Sequence, residues 1–128
     1  MKKILAICLF ITTIMQAQEL KTVTYNDGNQ KLNGLVTSNA EKNLPAVLIL
    51  PACKGIDNEA KQAALDLQKN GYKAFIADIY GEGNIPKDNT RATKIATQYK
   101  KDYKSCPHRS KLQLQQLKKR GININKIA

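Results

Sequence analysis

Leu44-Pro-Ala-Val-Leu-Ile-Leu-Pro-Ala-Cys-Lys-Gly55 and Asn70-Gly-Tyr-Lys-Ala-Phe-Ile-Ala-Asp-Ile-Tyr-Gly81 are the stretches whose reading decides the fold. Ala46 to Leu50 is a continuous apolar run between Pro45 and Pro51, the pattern of a strand buried on both faces. Asp57 or Asn58 can cap a helix in which Ala60, Ala63, Ala64 and Leu67 recur at helical spacing, and Gly71 after Asn70 supplies a C-terminal stop. Tyr72 to Ile79, around Ala74-Phe-Ile-Ala77, gives a second apolar strand closed by Asp78. Strand, loop, helix and strand within residues 46–79 make a βαβ unit, which implies parallel neighbouring strands and a right-handed crossover. The fold class is α/β.

Upstream, Thr22 to Tyr25 and Leu32 to Val36 are short β-prone runs. They are separated by Asn26-Asp-Gly-Asn29, where Asp-Gly suits the positive φ of a tight hairpin. Downstream, Gly81 to Asn89 reads as a loop, and Thr90 to Lys104 and Lys111 to Arg120 have helical composition with Pro107 between them. Gly121 ends the second helix, and Ile122 to Ala128 reads as a turn leading into another strand. No internal repeat or low-complexity tract interrupts this order.

Lys2 and Lys3 precede an apolar run from Ile4 to Met15, too short to span a bilayer, with a small residue at Ala17. This is the pattern of a secretory signal peptide over residues 1–17. Cleavage after Ala17 would deliver residues 18–128 to the periplasm or medium with no membrane anchor. Cys8 leaves with that segment, so Cys53 and Cys106 remain where disulfides persist. Two cysteines are no framework, and free thiols are the favoured reading.

The formal charge of +11 is strongly asymmetric. Residues 18–90 carry 8 basic and 9 acidic side chains, whereas residues 91–128 carry 11 basic and 1 acidic. Lys94, Lys100, Lys101, Lys104, Arg109, Lys111, Lys118, Lys119 and Arg120 spread this excess over both helical stretches. Solvated helix faces account for it. The functional counterpart is a non-enzymatic exported protein whose basic last third binds an anionic surface or partner. No zinc-finger or RNP-type signature accompanies the charge, so nucleic acid is not the expected partner.

Pro51 to Gly55 sits at the C-terminal end of a central strand and before a helix, where open α/β sheets place ligands. Backbone N–H groups there can hold a developing oxyanion. Cys53 as a nucleophile with His108 as its base would need an orienting third group, and none is evident. Cys106 and His108 offer two metal ligands where zinc needs three or four, so no metal site is expected. Asp78 at a strand end reads first as a turn cap, and Tyr99 with Tyr103, at i and i+4, as helix packing.

From Leu44 to Gly83 the sequence resembles the dienelactone hydrolases of the α/β-hydrolase superfamily, and the resemblance extends over residues 20–128. It rests on an apolar strand, a loop ending in Gly55, a helix, then Gly71-Tyr72, an apolar strand and Asp78-Ile-Tyr-Gly81. The resemblance implies an incomplete α/β-hydrolase fold: an N-terminal hairpin, a parallel βαβ unit and helices. The implied reaction is hydrolysis of a small ester or lactone by a Cys or Ser nucleophile on a G-x-C-x-G or G-x-S-x-G elbow, with an Asp and a His and no cofactor. Neither elbow occurs in the 128 residues, and Gly121 to Ala128 resembles the lead into the strand that would carry it. The nucleophile is left open between Cys and Ser.

By the same resemblance the Cys53 backbone N–H is an oxyanion donor, and Ala52, Lys54 and Glu82 fall in the substrate region. Ala52 stands where the family often has Glu, and Glu82 where dienelactone-specific members have an Arg that holds a substrate carboxylate. An anion in place of that cation would repel a carboxylate.

Overall fold

The computed structural model describes residues 18–102, 104–125 and 127, with Ser105 and Cys106 described by backbone only. The proposed signal segment 1–17, the Tyr103 half of the tyrosine pair and any partner of the Cys106 thiol lie outside the described residues.

Strand β1 (Leu20–Asp27) and strand β2 (Gln30–Thr37) form the expected hairpin, in register from Leu20↔Thr37 to Asp27↔Gln30. Gly28 takes φ 59° at the first position of the two-residue loop, where a side chain would be strained. Strand β3 (Ala46–Ile49), helix α1 (Asn58–Lys69) and strand β4 (Lys73–Ile76) are the βαβ unit, with β3 and β4 parallel neighbours. The Asp57 carboxylate caps α1 by accepting from the Ala60 N–H at 2.9 Å, and Gly71 leaves the helix with φ 81°.

The sheet order is β1-β2-β4-β3, so the hairpin lies antiparallel against β4 through Leu35↔Ile76 and Val36↔Phe75. All four β4 residues are buried, because β4 has a strand on each side. In β3 only Ala46 is buried and Leu50 beyond it is 54 % exposed, so the expectation of burial on both faces fits β4 and not β3. The physical reason is position: β3 is the edge of the described sheet, met there by a single parallel bridge from Ile127 to Ala46. That bridge lies where the sequence calls for the lead into a further strand.

Small residues set the helix spacing on one face, where Ala60 and Ala64 of α1 pack on Ala74 and Ile76. The other face holds Val23, Val36 and Phe75 under Leu117 of helix α3 (Ser105–Lys119), with helix α2 (Asn89–Lys101) beyond the end of β4. Lys73 is buried in β4. Its ammonium donates to the carbonyls of Lys42 and Asn123, tying the approach of the final segment to the sheet, and burial holds its pKa below the usual lysine value.

Helix α2 ends at Lys101 and α3 begins at Ser105, so the break between the helices does not fall at Pro107. Pro107 stands in the first turn of α3, where its missing N–H has no intrahelical acceptor to lose. Consequently Arg109, Gln113 and Leu117, at i, i+4 and i+8, share one face of α3 turned to the sheet. Gln113 is fully buried; its Nε2 donates to the Ile76 carbonyl at 3.2 Å and its Oε1 lies 3.3 Å from the Tyr25 hydroxyl.

Gly34 makes room for that amide. A Cβ built at residue 34 would sit 2.7 Å from Gln113 Nε2. Gly34→Ala should therefore displace Gln113 from its bonds and cost about 1–3 kcal/mol, read as a lower urea midpoint with unchanged slope. A variant as stable as the parent would show that Gln113 can move without loss.

Candidate functional site

The turn after β3 is closed by the Gly55 N–H donating to the Ala52 carbonyl at 2.9 Å, with Gly55 at φ 82°. Ala52, Cys53 and Lys54 form the exposed crest of that turn, and the Cys53 thiol is free. Ile56 and the Asp57 cap then lead directly into α1. The turn thus lies directly before the N-terminus of α1, whose dipole favours negative charge nearby.

The second wall is the chain after β4. Asp78 is buried and acts as the turn cap: Oδ1 accepts from the N–H groups of Tyr80 (3.0 Å) and Gly81 (2.9 Å), and Oδ2 from Asn33 N–H (2.8 Å). Three such bonds leave it no role as a free base in this arrangement. The two turns touch, since a Cβ at Gly55 would meet Ile85 at 3.5 Å and Tyr80 at 3.7 Å. Between them lies a cavity of about 250 Å³ lined by Gly55, Ile56, Lys61, Asp78, Glu82 and Ile85 among others.

Glu82 reaches this cavity, whereas Ala52, Cys53 and Lys54 do not line it. The Glu82 carboxylate pairs with Lys31 at 3.3 Å, both side chains being more than half exposed. Its backbone is fixed from the hairpin: Glu82 N–H donates to Lys31 O at 2.9 Å, and Gln30 Nε2 donates to Glu82 O at 3.2 Å.

His108 lies within α3, contrary to its expected place between helices, and it has a partner. Its Nε2 is 3.2 Å from Asp27 Oδ1 on the β1–β2 hairpin, so among the described residues its polar contact is with Asp27 and not Cys53. Arg109, which sequence reasoning assigned only to the basic excess, has the larger role. Its Nε donates to Asp27 Oδ2 (2.9 Å), and its Nη1 to the carbonyls of Ile79 (2.6 Å) and Tyr80 (3.0 Å) and to the Tyr99 hydroxyl (2.8 Å). The guanidinium also lies 5.9 Å from the Tyr99 ring centroid. Tyr25 adds a buried hydroxyl that donates to Asp78 O (2.8 Å) and accepts from Asp78 N–H (3.0 Å), and burial raises its pKa. No local signal marks these residues, because their partners are 53 and 82 residues away.

Among the described residues no three His, Cys, Asp or Glu side chains converge as metal ligands.

The family model described as the dienelactone hydrolase family matches residues 32–128. The chain belongs to the dienelactone hydrolase family. A Bradyrhizobium protein described as a probable 2-oxo-3-(5-oxofuran-2-ylidene)propanoate lactonase is 36 % identical over 69 residues, covering 54 % of this chain and 27 % of that protein. A dienelactone hydrolase-like promiscuous phosphotriesterase, P91, from metagenomic libraries superposes with TM-score 0.72 at 23 % identity, covering 86 % of this chain and 47 % of that one. The structure m3DLH matches with TM-score 0.70 at 19 % identity, over 87 % of this chain and 48 % of that one. The chain thus spans about half the length of these solved structures, and its arrangement is that of part of a dienelactone hydrolase-like α/β-hydrolase fold.

Arg109, and secondarily His108, hold the Asp27 carboxyl below its ordinary range. A carboxyl depressed in the folded state contributes stability above the unfolded value near 3.9, and that contribution is lost as pH falls through the folded value. Asp27→Asn should accordingly lower stability by about 1–2 kcal/mol at pH 7 and flatten its fall as the pH drops below about 5. Urea midpoints across that range check it, and parallel curves for the two proteins would refute the linkage.

Proposed function

We propose that the chain contributes the oxyanion-binding part of a dienelactone hydrolase-type enzyme that cleaves a small ester or lactone. The observation that carries this reading is the Pro51–Gly55 turn, set between the end of β3 and α1 and backed by the Tyr80–Ile85 turn. In it the Cys53 backbone N–H would donate to the substrate carbonyl oxygen as charge develops. Ala52, Lys54 and Glu82 would border the substrate, with Glu82 opposing a carboxylate near it.

The nucleophile, its histidine base and its aspartate fall outside these 128 residues in this reading, the nucleophile on an elbow after the strand that Gly121 to Ala128 would lead into. Residues 1–17 would direct export, and cleavage after Ala17 would leave Gln18 first. Intact mass of the exported protein tests this: a species retaining Met1 would sink the export assignment.

A single oxyanion donor, worth about 2.7–4 kcal/mol when an attack occurs, does nothing where no nucleophile attacks. Residues 18–128 alone should therefore leave p-nitrophenyl acetate hydrolysing at its uncatalysed rate, while a longer chain carrying the elbow, Asp and His should turn it over. Should the 18–128 chain show turnover that Cys53→Ala abolishes, Cys53 is itself the nucleophile and the proposed division of roles is wrong.

A further inference from the structure

An open groove of about 640 Å³ lies between α2 and the turn that follows β4, away from the Pro51–Gly55 crest. Its apolar lining is Tyr80, Ile95 and Tyr99, and its charged lining is Arg91, Lys94 and Asp88. Arg91 and Lys94, three apart, fall on one face of α2, and Ile95 continues the same stripe. Among the described residues no ion pair engages either cation. The Asp88 carboxylate is occupied in capping α2, accepting the Arg91 backbone N–H at 2.7 Å. Two cations therefore face one carboxylate, which leaves the groove lining net positive.

We propose that this groove binds a small aromatic carboxylate, its anionic group on Arg91 and Lys94 and its flat body over Tyr80, Ile95 and Tyr99. The floor is preformed. Tyr80 and Tyr99 meet edge to face with centroids 5.3 Å apart and planes at 80°. The Tyr99 hydroxyl is fixed by donating to Ile79 O at 3.0 Å and accepting from Arg109 at 2.8 Å. A ring entering the groove thus meets aromatic edges already held in place, with little ordering left for binding to supply. Arg offers a planar fork to a carboxylate, and Lys adds a second donor close by. A nucleic acid or other polyanion needs a longer track of cations than two residues over an apolar floor. This site does not rest on the hydrolytic reading: its cations and Ile95 and Tyr99 have no part in that chemistry, and Tyr80 enters there only as backing for the Pro51–Gly55 turn.

The test is a titration of the 128-residue chain with benzoate and with benzamide, its neutral analogue. It is followed by ¹H–¹⁵N NMR and by tyrosine fluorescence, which no tryptophan obscures. Benzoate should shift the amides of residues 80, 91, 94, 95 and 99 and bind at least about tenfold more tightly than benzamide, the order expected for one charge-assisted contact. Arg91→Gln with Lys94→Gln should remove that preference, while Lys118→Gln with Lys119→Gln, on α3 outside the groove, should leave it intact. Equal binding of benzoate and benzamide, shifts confined to other residues, no binding, or an unaffected Arg91/Lys94 double variant would each overturn the proposal. So would displacement of benzoate from these residues by duplex DNA with a steep salt dependence, which would assign the cations to a polyanion instead.

Discussion

The Arg109 guanidinium is the point on which four separate parts of the chain converge. It lies on α3, pairs with Asp27 at the tip of the β1–β2 hairpin, receives two carbonyls from the turn after β4, and holds the Tyr99 hydroxyl of α2. Its side chain is only 15 % exposed, so removing any partner would leave a cation short of acceptors in a poorly hydrated place. The carbonyls of Ile79 and Tyr80 both accept from Arg109, Ile79 also from the Tyr99 hydroxyl and Tyr80 also from Asn84 Nδ2. Tyr25, Asp78 and Gln113 extend the same network along the sheet. Because Asp78 and Arg109 together fix the turn from Ile79 to Gly81, they also fix one wall of the cavity against the Pro51–Gly55 turn. A change at Arg109 would therefore reach that cavity without touching it.

The parts of the fold legible in the sequence are those whose cause is local. The Asp57 cap, the alanine stripe of α1, Gly71 after it and Gly28 in the hairpin each act within a few residues of where they stand, and each does what its position implies. The place of the hairpin against β4 has no such signal. It follows from matching an apolar face of β2, through Leu35 and Val36, to Ile76 and Phe75 some 40 residues on. Pro107 misleads for a related reason: proline breaks a helix interior but not a first turn, and only the distant docking of Arg109 and Gln113 sets where α3 begins. His108 looks partnerless in sequence because Asp27 is 81 residues away. For the candidate site, the location of the Pro51–Gly55 turn is readable from strand, proline and glycine. The pairing of Glu82 with Lys31 is not, since it depends on a hairpin whose neighbour is unknown until the sheet is built.

The basic excess also divides once side chains have places. Arg109 is consumed inside the structure and Lys31 stands against Glu82, although each counts as a surface charge in composition. Lys73, with no ion pair to an acid among the described residues, donates to two carbonyls and sits in a strand otherwise built of Ala, Phe and Ile. The remaining cations of α2 and α3 lie mainly on exposed positions, with Arg91 and Lys94 set apart by the groove they share with Tyr80, Ile95 and Tyr99. A net charge of +11 therefore sums several unrelated arrangements.

Glu82 shows how far a reversed charge is felt. Its partner Lys31 is 3.3 Å away, but both side chains are more than half exposed, and such a pair is worth about 0–1 kcal/mol. Water screens the pair and leaves each charge free to reorient, so Lys31 offsets the Glu82 field without abolishing it. Asp78 lines the same cavity, its carboxylate accepting from three backbone N–H donors. Lys61 is the cation among the named lining residues and stands against these two anions. The cavity between the two turns is thus biased toward neutral or cationic groups. A carboxylate approaching it would lose hydration and gain no bidentate partner, the reverse of what an arginine at residue 82 would offer. In contrast, the groove along α2 carries two cations over tyrosine edges. The two concavities flank the same turn, Tyr80 lining one and Glu82 the other, and they differ in sign because the turn separates an acidic loop from a basic helix.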